Sequence, residues 1–593
     1  MRLLALALLS LYCSTLAQIT QHPLKYANST ILDPTMDGFI EGVISSWNSS
    51  GGASVAVVKQ YEDGSWQVET KGYGIAKVAE GKKLDADSLF YIAKLFTAIA
   101  TGMLVSNKSL SPRLSWDTKI ADILPEHLWK LQDPIASAET TITDAMGHRT
   151  GLPNHDSMYS RKDPIEVVLQ KFRHLKPSAS FRTTWQYTNI MYILLSYLPT
   201  ASLPQKPSLA EYVREHIFEP LGLTSATYSL AAAKSTGRLA DPIARDVNKT
   251  EDLFGKGKTR VLRYPTWFQE DSEDGSYMAG AAGVIMNVKD AATWLQVLLL
   301  EGQNPWTGEQ VIPREVVRKV ASGISIVRPE PQCPEVSNVV YGGGQMRGSY
   351  RGHDYIEHDG GYATRIARLP NSKFGVAVFT NEEHYGAPFM EVIKWHIIDT
   401  ILGLEPIDWD SRMRAIVRER YQRKISRAKP RPENPAPPPL PLEQLAGVYQ
   451  NPGYRNIEFC LVSSPPPVTE SVYCRRLRKE QPVILPNAVN HNVPTLLAWS
   501  DSFWYSHIKL EHVDGALFTA KQLDSRAREL PTDDPEQPYW TSDVDAPYTA
   551  EFVIEDEKVG FGMMDGFWGS GPGIEGPIEG SARERAEVWF ERI

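Results

Sequence analysis

Runs of apolar residues at two ends of a long stretch bracket segments with helical spacing. GASVAVVKQ and SWQVETKGYGIA near the start, and KFGVAVFTN after residue 372, are short, rich in Val and Phe, and bounded by Gly, Ser or Asn, which predicts strands. Between them, LFTAIATGMLV, SLAEYVREHIFEPLGL and NVKDAATWLQVLLLEG place apolar residues three and four apart. Ser208 and Asn287 stand at N-cap positions, and Gly302 is a stop. FMEVIKWHIIDTILG and the basic DSRMRAIVRERYQRKIS continue the helical texture. Strands at both ends with helices between predict an α+β sheet closed by the two ends of the segment. The texture then breaks at KPRPENPAPPPLPLE, residues 429–443, which can be neither helix nor central strand and predicts a stiff extended linker. Beyond it, GVYQNPGYRNIEFCL, TLLAWSDSFWYSHIKLEHV, ALFTAKQL, YTAEFVIED and AEVWFERI alternate in part and are separated by turn residues, which predicts a small all-β barrel or sandwich. No internal repeat stands out.

Length agrees with more than one unit: 593 residues exceed a typical domain. The expected division is a signal peptide over 1–17, a first domain over 18–427, a Pro-rich linker over 428–442 and a β-rich domain over 443–593. A content of 42% apolar and 22% charged residues is that of a globular protein, and a net charge of -9 argues against nucleic acid or an anionic membrane as main partner. MRLLALALLSLYCSTLAQ pairs a basic start with an apolar run too short to span a bilayer, a secretory signal cut after Ala17. Export makes the N-x-S/T sequons at Asn28, Asn48, Asn107 and Asn248 expected glycosylation sites in a eukaryotic source. It also favours a disulfide between Cys460 and Cys474, read as facing strands of a hairpin, with Cys333 left unpaired.

Candidate chemistry lies in separated segments: Lys94 opening KLFTAIATGMLV, 185-WQYTNIMYILL-195, 356-IEHDGGYATRIARLP-370, and 147-GHRTGLPNHD-156. In this order they resemble the serine β-lactamase and penicillin-binding-protein-like family, specifically its class C or D-alanyl-peptidase-like branch, from about Ile31 to Gly403. The tail beginning LAGVYQNPGY is similar to the β-rich C-terminal domain that many members carry. The resemblance implies a serine hydrolase acting through an acyl-enzyme on a small amide, ester or peptide. Lys94 and Tyr187 would be catalytic, while Asn189, His358, Asp359 and Gly360 would contact substrate. The residues suggest the same division of labour. A phenol beside a cation has its pKa lowered, so Tyr187 next to Lys94 could serve as a general base. A strand edge from Asp359 to Gly361 could offer backbone N–H groups to a carbonyl oxygen.

Neither a cofactor nor a metal is implied. His353, Glu357 and His358 are ligand types, but adjacent Glu357 and His358 face opposite sides of a strand. GKGKT at 255–259 lacks the leading glycine of a phosphate loop.

One position breaks the pattern. Family members run F-x-I-A-S-x-x-K-x-F-T-A and this chain runs FYIAKLFTA, as if Ser-x-x had been removed between residues 93 and 94. Tyr91 stands where the nucleophile would, and Ser88, six residues before Lys94, would point away on a helix. Two readings follow: a hydrolase whose nucleophile is missing from the sequence as written, or an inactive relative that binds a peptide or small amide.

Overall fold

The computed structural model describes residues 30–593 apart from 93, 247–252, 263–275, 361–362, 464–469, 491, 529, 531–536, 545, 556, 570 and 572–573. The proposed signal, Asn28 and Asn248 lie outside the described residues.

The two ends of the first segment meet in one sheet. Strand Gly52–Gln60 pairs with Phe374–Thr380 on one side and Trp66–Lys77 on the other, all antiparallel. Both central strands are buried along nearly their whole length and mostly apolar because both faces are covered. Helices Pro34–Ser46 and Gly386–Leu402 pack on one face, and Val288–Leu299 packs on the other. Beyond Phe374–Thr380 the sheet continues through Thr364–Leu369, His353–Gly360 and Met346–Tyr350 to Val339–Tyr341 and Ser325–Arg328. The helix signals hold: Ser208 and Glu211 form a reciprocal capping box, Asn287 caps Val288–Leu299, and Gly302, with φ of 98°, follows that helix's end.

After the Pro-rich segment, strands Gly447–Asn451, Arg455–Leu461, Thr495–Trp499, His507–Asp514, Leu517–Ala527, Tyr548–Glu555, Lys558–Met564 and Val588–Arg592 close into an eight-stranded antiparallel barrel. The additional strand Tyr539–Asp543 pairs with Leu517–Ala527. Phe459, Phe518, Phe552, Phe561 and Phe590 fill its interior. Cys460 and Cys474 are joined as expected, but not as strand partners. Val472–Ile484 is a helix whose Ser471 side chain caps the Cys474 N–H, and the bond ties it to strand Arg455–Leu461. Cys333 is a free thiol. No described helix is long and apolar enough to cross a membrane.

The barrel is bolted to the first segment through loop 147–163. The Trp568 carbonyl accepts from the His155 N–H at 2.7 Å, Tyr454 Oη meets His155 Nδ1 at 2.5 Å, and Ser160 Oγ donates to Asp501 at 2.7 Å. The buried Asp144 carboxylate holds the same loop from below through Arg149 at 2.6 Å and Arg182 at 2.7 Å.

Candidate active site

Pairing fixes the backbone at the site. Strand Phe90–Ile92 is locked to Val284–Met286, so the chain stays extended up to Ile92. Helix Leu95–Ser106 begins three residues after Ile92, and its N-cap is Lys94, with φ 39° and ψ -40°. A non-glycine residue in that region carries strain of about 1–3 kcal/mol and persists only where its surroundings impose it. Those surroundings are tight. A Cβ on Gly344, itself at φ 65°, would lie 3.1 Å from the Leu95 Cα, and one on Gly360 would lie 3.0 Å from the Ile92 Cα.

Lys94 is 5% exposed and reaches across to helix Asn189–Ser196. Its Nζ donates to Asn189 Oδ1 at 2.7 Å and to the Ala281 carbonyl at 3.0 Å, and lies 4.5 Å from the centroid of the Tyr187 ring. Burial pulls its pKa down to about 8, against the opposing pull of Asp156 and Asp359. Asn189 Nδ2 donates onward to Asp156 Oδ1 at 3.2 Å, Asn154 Nδ2 donates to the same carboxylate, and Asn154 Oδ1 accepts from the Asn189 N–H at 3.3 Å. A relay of Lys94, Asn189, Asp156 and Asn154 results. Asn154 and Asp156 belong to the GLPNHD run, whose polar residues immediately after the turn were the available signal for them.

Tyr187 sits beside Lys94 as expected, but the lowered phenol pKa is corrected. Burial, then the negative charge of Asp359, pushes it well above its ordinary value. Lys94 meets the ring face rather than the hydroxyl. A phenol in this position is a proton donor at neutral pH.

His358, Asp359 and Gly360 end strand His353–Gly360 and line one small inner cavity together, but they do not all face the large cleft. Asp359 and Gly360 line the cleft that contains Lys94, whereas His358 is turned inward, with Nε2 3.0 Å from Tyr341 Oη. Burial lowers the His358 pKa to about 4, so the imidazole is neutral near pH 7. Burial raises the Asp359 carboxyl, but the charge of Arg365, helped by that of Lys94, outweighs it and holds it at about 2. The strand's pairing with Met346–Tyr350 stops at Glu357, while pairing with Thr364–Leu369 runs on to Gly360. His358–Gly360 therefore has one edge without a strand partner among the described residues. The neighbouring Glu357 faces Lys394 at 2.7 Å and Arg365 at 3.1 Å in a buried ion cluster, not a shared site with His358. Among the described residues there is no group of three or more His, Cys, Asp or Glu side chains arranged to hold a metal.

The alternative hydroxyls are buried away from the cleft lining. Ser88 is buried and donates to Asp85 at 2.9 Å, and Tyr91 is buried in strand Phe90–Ile92. His148 lies beneath the cleft between Tyr187, Tyr192 and Tyr341, kept neutral first by burial and then by the charge of Lys94.

The cleft measures about 1540 Å³, and the barrel forms much of its wall. Its lining runs from Lys94, Asn154 and Asp359 to Trp499, Trp504 and Tyr539. Nothing in the sequence placed those aromatics there, because they come from separate strands and loops.

This sheet with its helical flanks, and a lysine, a tyrosine and an asparagine converging at a strand end, define a β-lactamase/transpeptidase-like architecture. The chain belongs to the Beta-lactamase family, whose model matches residues 40–394. It is 29% identical to unguisins hydrolase ungD of Aspergillus violaceofuscus over 467 residues, 73% of this chain and 77% of that one. It is 24% identical over 265 residues to a putative D-alanyl-D-alanine carboxypeptidase of Escherichia coli, 40% of this chain and 58% of the relative. The octameric penicillin-binding protein homologue from Pyrococcus abyssi superposes with a TM-score of 0.50 at 19% identity, covering 89% of this chain and 97% of that structure, and shares the fold.

Proposed function

We propose that this chain is a secreted serine hydrolase that cleaves an amide or ester through an acyl-enzyme, and that the turn bearing its nucleophile is missing from the sequence as written. The observation that carries this reading is the relay from Lys94 through Asn189 to Asp156, maintained at the cleft beside an N-cap forced to φ 39° where family members have three more residues. A serine one turn before Lys94 would attack the substrate carbonyl and pass its proton to the lysine, whose pKa near 8 leaves a usable neutral fraction at neutral pH. Tyr187, protonated, would give a proton to the leaving group. Asn189 and the open edge at Asp359 and Gly360 would hold the substrate amide and its carbonyl oxygen. That the relative named above is itself a hydrolase supports the reaction class.

One observation favours a second reading, an inactive binder. The Lys94 ammonium donates to Asn189 and Ala281 and lies against the Tyr187 ring, an arrangement that holds the cation without a nucleophile. Sequencing the transcript across the codons for Ala93 and Lys94 separates the two. A-S-x-x-K supports the hydrolase; uninterrupted A-K in every transcript supports the binder.

A further inference from the structure

The barrel wall carries features that a small amide does not need. At about 1540 Å³ the cleft exceeds the roughly 300–1,000 Å³ of a pocket for a drug-sized ligand. Trp499 stands 49% exposed within it, at the end of strand Thr495–Trp499, where its backbone N–H is held by Tyr473 Oη at 2.6 Å. An indole left half in water inside a cavity is unspent apolar surface. The strand Tyr539–Asp543 is the outermost of the barrel sheet, paired only with Leu517–Ala527 among the described residues. Tyr539, Trp540, Ser542 and Asp543 all line the cleft. Side chains alternate across a strand, so a cavity touched by consecutive residues meets the strand's edge and not one of its faces. A strand edge offers backbone donors and acceptors at regular spacing, the recognition chemistry of an extended peptide.

We propose that the outer strand Tyr539–Asp543, with Trp499 and Trp504, forms a binding subsite for an extended peptide bearing apolar side chains. The peptide adds as a strand to the barrel edge, seats alternate side chains on the indoles, and is led along the cleft toward Lys94. The barrel thereby makes the site selective for oligopeptides over compact amides such as β-lactams. This rests on the reading of the Lys94 cleft as the amide-handling site, but its test needs no turnover.

The full unaltered chain is titrated against a fluorescein-labelled, end-capped octapeptide alternating Phe and Thr, and binding is followed by anisotropy. Saturable binding is expected. N-methylation of alternate backbone amides should weaken it at least about tenfold by removing the edge hydrogen bonds, and Trp499→Ala should weaken it by a similar factor. Trp306→Ala, at a 71% exposed indole outside the cleft lining, should leave it unchanged. Absence of saturable binding, or equal affinity for the N-methylated peptide and for Trp499→Ala, would overturn the proposal. Failure of a serine-restored chain to acylate would instead strike the hydrolase reading and leave this binding result standing.

Discussion

Replacing Lys94 by Met tests whether the site lysine is as desolvated as its surroundings require. Met keeps the stem and removes the ammonium. Burial lowers the lysine pKa from 10.5 to about 8, and at 1.36 kcal/mol per pKa unit the folded state is penalised by about 3 kcal/mol for carrying the charged form. The sign follows from linkage. The unfolded chain binds the proton more tightly, so the stability associated with this group is fully present above pH 10.5 and is lost as the pH falls through 8. Near pH 7, Met escapes that penalty but leaves Asn189 Oδ1 and the Ala281 carbonyl without their donor, each worth about 1–3 kcal/mol. The two effects nearly cancel. Between pH 7 and 10.5 the unaltered chain should then gain about 3 kcal/mol on Lys94→Met, a separation of about 1 M in urea midpoint for an m-value near 3 kcal/mol/M. Parallel urea denaturations at pH 7, 8, 9 and 10.5 give the difference directly. A stability difference flat across that range would refute the reasoning, because it would mean that the ammonium is solvated and that no neutral lysine is available near pH 8.

Glu587, buried under turn 565–569 and accepting from the Gly566 N–H at 2.8 Å, has its carboxyl raised by burial to about 7. Stability should therefore fall as pH rises from 4.5 to 7, and Glu587→Gln should remove on the order of 3 kcal/mol of that fall in matched denaturations. Cys460→Ser opens a loop with a sequence separation of 14 and should cost about 3 kcal/mol, measured as a lowered urea midpoint of the barrel under non-reducing conditions. In a eukaryotic secretory host, Asn107 should carry glycan, because its Oδ1 is bound within its own turn by Ser109 while its amide nitrogen is left available. Asn48 should be modified less, since its Nδ2 donates to the Phe254 carbonyl at 2.9 Å, and peptide mapping after deglycosylation checks both.

Elements whose identity rests on local pattern were legible: the Val-rich central strands, the Ser208 and Asn287 caps, and the Gly302 stop all follow from residue type and spacing. Cys474 was misplaced because SVYCRRL has the β-formers of a strand, while the decisive signal was Ser471 as N-cap with apolar Tyr473, Leu477 and Ile484 at helical spacing. The juxtaposition of Lys94, Tyr187 and Asn189 was legible from motif order. The proton affinity of Tyr187 was not, because it depends on Asp359 and on burial contributed by distant elements. The inward turn of His358 and the aromatic wall were likewise hidden, since strand register and the docking of the barrel decide both.

The central claim, that this is a serine hydrolase site lacking its nucleophile turn, is tested most directly by covalent labelling with a fluorescent activated ester. A nucleophile and its base act as a unit, and in serine proteases losing either costs about a millionfold in turnover. The unaltered chain should not label. Inserting Ser-Asn-Ser between Ala93 and Lys94 adds most of a helical turn and sets a hydroxyl three residues before Lys94 on its face, so this chain should label at the inserted serine. Labelling of the unaltered chain, or an inserted chain that folds and stays unlabelled, would contradict the account.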